Sequence, residues 1–181
     1  MILPALRSWL LARHIEIVRM TDHSWRMVTG RPRASRSMIT PELYLGGQYR
    51  RRSSRWFVRQ GITAIVSMRM HPPIEFGDLP EIKIRHLPTP DFQASTLSQF
   101  REGTAFIRTV VEQGGRVYVH CHHGEGRGPS MAAAYLMSTG LSLADALRAI
   151  RQVRSFIRPT RAQLTRLQEW AIEVGVEPAL A

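Results

Sequence analysis

Val117-Tyr118-Val119-His120-Cys121-His122-His123-Gly124-Glu125-Gly126-Arg127-Gly128, followed by the helix-compatible run Met131-Ala132-Ala133-Ala134-Tyr135-Leu136-Met137, decides the fold of this chain. A β-rich lead-in ends at Cys121, the one cysteine of 181 residues, and a loop with glycines at 124, 126 and 128 leads into a helix. Strand, glycine-rich loop and helix N-terminus in that order form an anion cradle, because backbone N–H groups converge and the helix dipole adds positive potential. Arg127 carries a planar fork that matches two oxygens of a phosphoryl group. The same field favours the thiolate of Cys121 over its thiol, which makes the sulfur a nucleophile.

The flanking sequence places this unit in an α/β domain. Leu43-Tyr44-Leu45 is expected as a short strand ended by Gly46-Gly47, and Ile62 to Ser67 as a buried-type strand. Residues 53–60 read as a short helix closed by Gly61, and residues 82–87 alternate like a strand stopped by Pro88 and Pro90. Ser95 or Thr96 opens a helix that ends at Gly114-Gly115, and the loop helix ends at Gly140. Ser142 with Asp145, and Thr160 with Gln163, have capping-box spacing for two more helices. Strands alternating with helices predict a central, mostly parallel sheet flanked by helices, with the Cys121 loop at a strand's carboxyl end.

Composition sets the outer bounds. The chain carries 25 Lys+Arg against 14 Asp+Glu, a formal charge of +11, and Lys83 is its one lysine. An arginine-rich surface suits anionic partners: phosphoproteins first, acidic lipid second, with nucleic acid not favoured. A single cysteine forms no internal disulfide, so a reducing, cytoplasmic setting is expected. Residues 1–20 are apolar but broken by Arg7, Arg13, His14 and Glu16, which is too short an apolar span to cross a membrane. They read as an amphipathic helix that docks on the domain or lies peripherally on a membrane. The expected organisation is a helix and basic linker over residues 1–37, a folded domain over 38–175 and a short tail over 176–181. A monomer is expected.

Phosphoryl transfer to sulfur is half a reaction: the leaving oxygen needs a proton, and water must later be activated. One carboxylic acid on a nearby loop serves both needs. Asp91, in Leu87-Pro88-Thr89-Pro90-Asp91-Phe92 just past a predicted strand, is the first candidate, with Glu102 and Asp78 next.

With these residues in view, the chain resembles the cysteine-dependent protein tyrosine phosphatase superfamily, and within it the small dual-specificity phosphatases. His120-Cys121, Gly124 and Arg127 fit that family's signature. The resemblance implies Cys121 as nucleophile, Arg127 as phosphate ligand, Asp91 as general acid, and His122, His123, Gly124, Glu125 and Gly126 as the rest of the phosphate-binding loop. Residues 39–47 look like the family's opening strand and residues 154–163 like its closing segment, so the likeness runs from about Met38 to Val174. Supporting roles are expected for His120, which braces the loop, for Gln163, which caps a helix or orients water, and for Ser130. The family places Ser or Thr directly after the arginine, where the hydroxyl stabilises the departing thiolate. Here Gly128 stands in that place; Ser130 behind it reads first as a helix-start hydroxyl and second as a partial substitute.

The resemblance implies a phosphomonoesterase acting on phosphotyrosine and on phosphoserine or phosphothreonine in proteins, with no cofactor and no metal. The alternative is a phospholipid phosphatase, for instance of phosphatidylglycerophosphate or a phosphoinositide, although Glu125 beside a highly charged headgroup is repulsive. An inactive phosphate-binding module is a third reading, but such modules lose the cysteine, the arginine or the acid, and this chain has all three. Four neighbouring residues, His120 to His123, cannot converge on one tetrahedral ion from a tight loop. A sulfurtransferase would have no use for the Asp91 loop.

Overall fold

The computed structural model describes residues 2–75 and 82–180. Asp78, one of the acids considered above, lies outside them. Four strands, β1 (Leu43–Gly46), β2 (Ile62–Ser67), β3 (Lys83–His86) and β4 (Arg116–His120), form one sheet in the order β1-β4-β2-β3. All three pairings are parallel, so the expected mostly parallel sheet is observed. Among the described residues six α-helices accompany them: α1 (Ile2–Thr29), α2 (Ser54–Arg59), α3 (Leu97–Glu112), α4 (Arg127–Ser138), α5 (Leu143–Val153) and α6 (Arg161–Val174).

β4 lies between β1 and β2 and is covered on both faces, which explains the buried run Val117 to Val119 at its centre. Strand alternation divides the core. Val117 and Val119 join Leu43, Leu45, Ala64 and Val66 under α3 and α4. On the other face Tyr118 packs with Tyr44, Tyr49, Trp56 and Phe57. Its buried hydroxyl donates to the Gly47 carbonyl at 2.7 Å. An unpaired hydroxyl there would cost about 1–3 kcal/mol. α4 is buried from Arg127 through Met137, so its sequence has no polar face, and it packs against α3, α5 and α6.

The helix signals resolve individually. Thr96 rather than Ser95 caps α3, with the reciprocal Gln99 bond in place. Thr160 and Gln163 form the second capping box. Ser142 accepts from the Asp145 amide, but the Asp145 carboxylate takes the Ser142 hydroxyl and Arg148 instead of returning to the backbone, so that box is half formed. Residues 30–37, expected as a linker, carry a 3-10 turn at Ala34–Arg36 and are tied down: the Gly30 carbonyl accepts from Ser53, and the Arg36 carbonyl from Arg154.

Candidate active site

The Cys121 loop leaves β4 at the carboxyl edge of the sheet and enters α4 at Arg127, whose N-cap is Gly126. Its conformation is imposed from outside. The His122 carbonyl accepts from Arg26 at 2.8 Å and from the Gln48 amide at 2.9 Å. The His123 and Gly124 carbonyls accept from Arg154, and the Glu125 carbonyl from the Arg158 amide at 2.6 Å. Carbonyl and N–H of one trans peptide unit point in opposite directions. Four carbonyls held outward therefore turn the amides of residues 123–126 inward. The Gly124 amide accordingly donates to Cys121 Sγ at 3.3 Å. Gly124 has φ 73°, and a Cβ there would lie 2.5 Å from the Gly46 backbone, so only glycine fits.

Cys121 is 3% exposed and Arg127 5%. Arg127 is aimed by the Thr89 carbonyl at 2.7 Å and the Met68 carbonyl at 3.3 Å, and its other terminal nitrogen pairs with the Asp91 carboxylate. The three residues assigned to chemistry thus face one cleft of about 350 Å³, lined also by Phe92, His122, His123, Glu125, Arg158 and Gln163. Glu102 is elsewhere, exposed on α3 and paired with Arg85.

The Asp91 loop is held by α6. Thr160 Oγ1 donates to the Phe92 carbonyl at 3.1 Å and Gln163 Nε2 donates to the Gln93 carbonyl at 2.8 Å. Gln163 Oε1 accepts from the Thr160 amide at 3.0 Å, so this side chain is both the expected cap and a brace for the acid loop. Phe92 adopts φ 63°, unusual for a bulky residue, and its ring is 80% exposed at the mouth of the cleft, whereas Tyr44 and Phe156 are core. Ser130 sits one turn inside α4 and donates to the Gly126 carbonyl at 2.9 Å. Gly128 packs beneath the nucleophile, its notional Cβ 3.4 Å from the Cys121 amide nitrogen.

His120 is fully buried, with Nδ1 3.1 Å from the Cys121 carbonyl and its ring stacked on Tyr118. Burial drives its pKa down to about 3, so the imidazole is neutral under working conditions. Between about pH 6.5 and 3 the unfolded chain binds a proton that the native chain refuses, and stability falls as pH falls through that window. The contribution reaches about 1.4 kcal/mol per pH unit. Urea unfolding across a pH series is expected to show this slope and to show it flattened in His120→Asn; an unchanged slope would place the titration elsewhere.

Sequence reading missed the partners contributed by α1. Glu125 does not face solvent: its carboxylate lies 2.9 Å from His23 Nε2 and 3.9 Å from Arg19. Burial alone would raise its pKa, but His23 and Arg19 outweigh that, and the net shift is downward. Asp22 and Arg154, 5% and 1% exposed, form a buried ion pair at 3.3 Å behind the loop. His23, His123 and Glu125 bring potential ligand atoms within 4.8 Å of one another. Arg26 already reaches His123 Nδ1 at 3.3 Å and Arg19 approaches Glu125, so a cation there has to displace two guanidinium groups.

Comparison with known proteins agrees with this geometry. The family profile described as the dual specificity phosphatase catalytic domain matches residues 43–173. Dual specificity protein phosphatase 1-A of Xenopus laevis is 32% identical over 138 residues, covering 75% of this chain and 37% of the relative. Dual specificity protein phosphatase 1 of Homo sapiens shows the same identity and coverage. The chain therefore matches little more than a third of the length of these relatives. The crystal structure of PTPMT1 superposes with a TM-score of 0.69 at 26% identity, covering 77% of this chain and 95% of that one. Human DUSP28 superposes with a TM-score of 0.71 at 24% identity, over 77% of this chain and 97% of that one, and so shares the fold. The profile match runs from β1 into α6, the span that holds the nucleophile loop, the acid loop and the α6 brace, and the chain belongs to the dual specificity phosphatase family.

Proposed function

We propose that the protein hydrolyses phosphate monoesters on protein side chains, phosphotyrosine foremost and phosphoserine or phosphothreonine with it, through a phosphocysteine intermediate. The observation that carries this reading is the inward turn of the loop amides around Cys121 Sγ, with Arg127 and Asp91 facing the same cleft. In the first step the thiolate attacks phosphorus, the bond from phosphorus to the leaving oxygen breaks, and Asp91 gives that oxygen its proton. The inward amides and the Arg127 fork hold the equatorial oxygens as charge redistributes. In the second step water attacks the phosphocysteine, Asp91 takes the water's proton, the S–P bond breaks, and phosphate leaves with the thiolate restored. A phosphoryl group arriving at Arg127 competes with Asp91 for that guanidinium, and the carboxyl group, carrying a proton taken from solvent, then serves the leaving oxygen. Phe92, exposed at the mouth of the cleft, supplies a flat apolar wall suited to an aryl ester.

A phospholipid substrate is the second reading. The crystal structure of PTPMT1 in complex with PI(5)P, 26% identical with a TM-score of 0.67, supports it. So does the pairing of Glu125 with His23 and Arg19, which removes much of the repulsion expected toward an anionic headgroup. Purified protein assayed on phosphotyrosine, phosphothreonine and phospholipid panels decides between them. The highest kcat/KM is expected on phosphotyrosine peptides. Preference for phospholipid would exchange the two readings, and binding without hydrolysis on every panel would leave a phosphate-binding module.

A further inference from the structure

Residues 5–14 of helix α1 are exposed all round, Leu11 at 61% included, and from Ile15 onward the helix has two unlike sides. Ile15, Val18, Asp22, Trp25, Arg26 and Thr29 turn toward the domain and are buried or half-buried. On the opposite side Leu6, Trp9, Leu10, Ile17, Met20, Met27 and Val28 are each between 48% and 76% exposed. At 3.6 residues per turn these seven side chains fall within an arc of about 100°, and 28 helical residues extend about 40 Å. Scattered exposed apolar residues need no explanation, but seven on one side of a helix, interrupted there by Arg13 and Ser24 alone, do.

Charge says what fits the stripe. The two acidic residues of α1 are both engaged with the protein: Glu16 pairs with Arg19 and Arg158, and Asp22 with Arg154. The outer side carries Arg13, stacked 5.3 Å from the Trp9 ring. At the helix's far end the exposed Arg52 donates to the Val28 carbonyl. An apolar stripe bordered by guanidinium groups, with both helix carboxylates withdrawn, on a chain of net charge +11, complements an anionic bilayer surface. Trp9 with its stacked arginine suits the headgroup boundary. No described helix is long and apolar enough to cross a membrane, so the fit is in the interfacial plane.

We propose that the outer stripe of α1 is a docking surface for anionic membranes. The geometry also relates docking to the cleft: Trp9, Glu16 and Arg158 line one groove, and Arg158 lines the catalytic cleft as well. A bilayer against the stripe thus lies beside the active-site mouth, and membrane-resident phosphomonoesters reach it without leaving the surface. Docking stands apart from the phosphatase reading, whereas this consequence rests on it.

The test is co-sedimentation of the full chain with vesicles of phosphatidylcholine alone and of phosphatidylcholine mixed with phosphatidylglycerol. Binding to the mixed vesicles is expected, weakened by salt, with little binding to the neutral ones. Leu10→Glu with Ile17→Glu, both on the exposed side, is expected to lower partitioning at least about tenfold while circular dichroism and turnover of a soluble aryl phosphate stay as in wild type. Equal binding by wild type and the double variant, or no preference for anionic vesicles, overturns the proposal. So does a wild-type dimer in sedimentation velocity that the same substitutions dissociate, since the stripe would then belong to a second copy. Loss of vesicle binding alone leaves the phosphatase reading standing, and loss of soluble turnover in wild type strikes that reading alone.

Discussion

Cys121→Ser is expected to lower turnover by roughly four orders of magnitude or more while leaving phosphopeptide binding in place. The substitution is nearly isosteric at a site 3% exposed, so the loop has no cavity to collapse into. The external supports of the loop, from Arg26, Arg154 and the Arg158 amide, do not involve the sulfur, so the inward amides persist. The step that disappears is the attack. A serine hydroxyl ionises far less readily than a thiol, and the field that sustains a thiolate falls well short of producing an alkoxide. Turnover and phosphopeptide affinity measured on one preparation separate the two consequences. Retained turnover would end the phosphocysteine mechanism, and lost affinity would show that the sulfur shapes the loop as well as attacking from it.

How the loop keeps that shape was only partly legible in the sequence. The strand, glycine-rich loop and helix around Cys121 were readable because each is encoded locally, by an apolar run, by glycines and by the length of the helix. Thr96 and Thr160 were readable because a capping box is a spacing of three. Asp91 followed from the prolines around it and the strand before it. The outer braces had no such signature. Arg26 reaches a carbonyl 96 positions away, and Asp22 meets Arg154 across 132, and no periodicity links such pairs. Composition also misled at residues 30–37. Glycine, proline, serine and arginine suggested a free linker, yet carbonyls of this stretch accept from Ser53 and Arg154. Ser130, read first as a helix-start hydroxyl and second as a partial stand-in for the hydroxyl missing at Gly128, donates its Oγ to the carbonyl four residues back, as a serine inside a helix commonly does. The exposure of Phe92 had no sequence signal either: its backbone lies in the left-handed region, with its carbonyl held by Thr160 and its ring turned outward.

Asp91→Asn carries the second large effect, and its dependence on the leaving group tells more than its size. The amide keeps the shape of the carboxyl but has no acidic proton to give. For phosphotyrosine and alkyl phosphates, whose oxygens leave poorly as anions, a loss of about 10²- to 10³-fold in kcat is expected. For 4-nitrophenyl phosphate, whose anion leaves without help, the first step should fall much less. A plot of log kcat/KM against leaving-group pKa is therefore expected to steepen in the variant. The ion pair adds a second expectation. Asp91 pairs with Arg127, so an incoming phosphate competes with Asp91 for the same guanidinium. Asparagine removes that competitor, and KM is expected to drop for every substrate in the series even as kcat falls. A merely structural role would raise KM and lower kcat alike across all leaving groups. A uniform loss of that kind would mean that the proton comes from elsewhere and that the Arg127–Asp91 contact serves only to hold the loop.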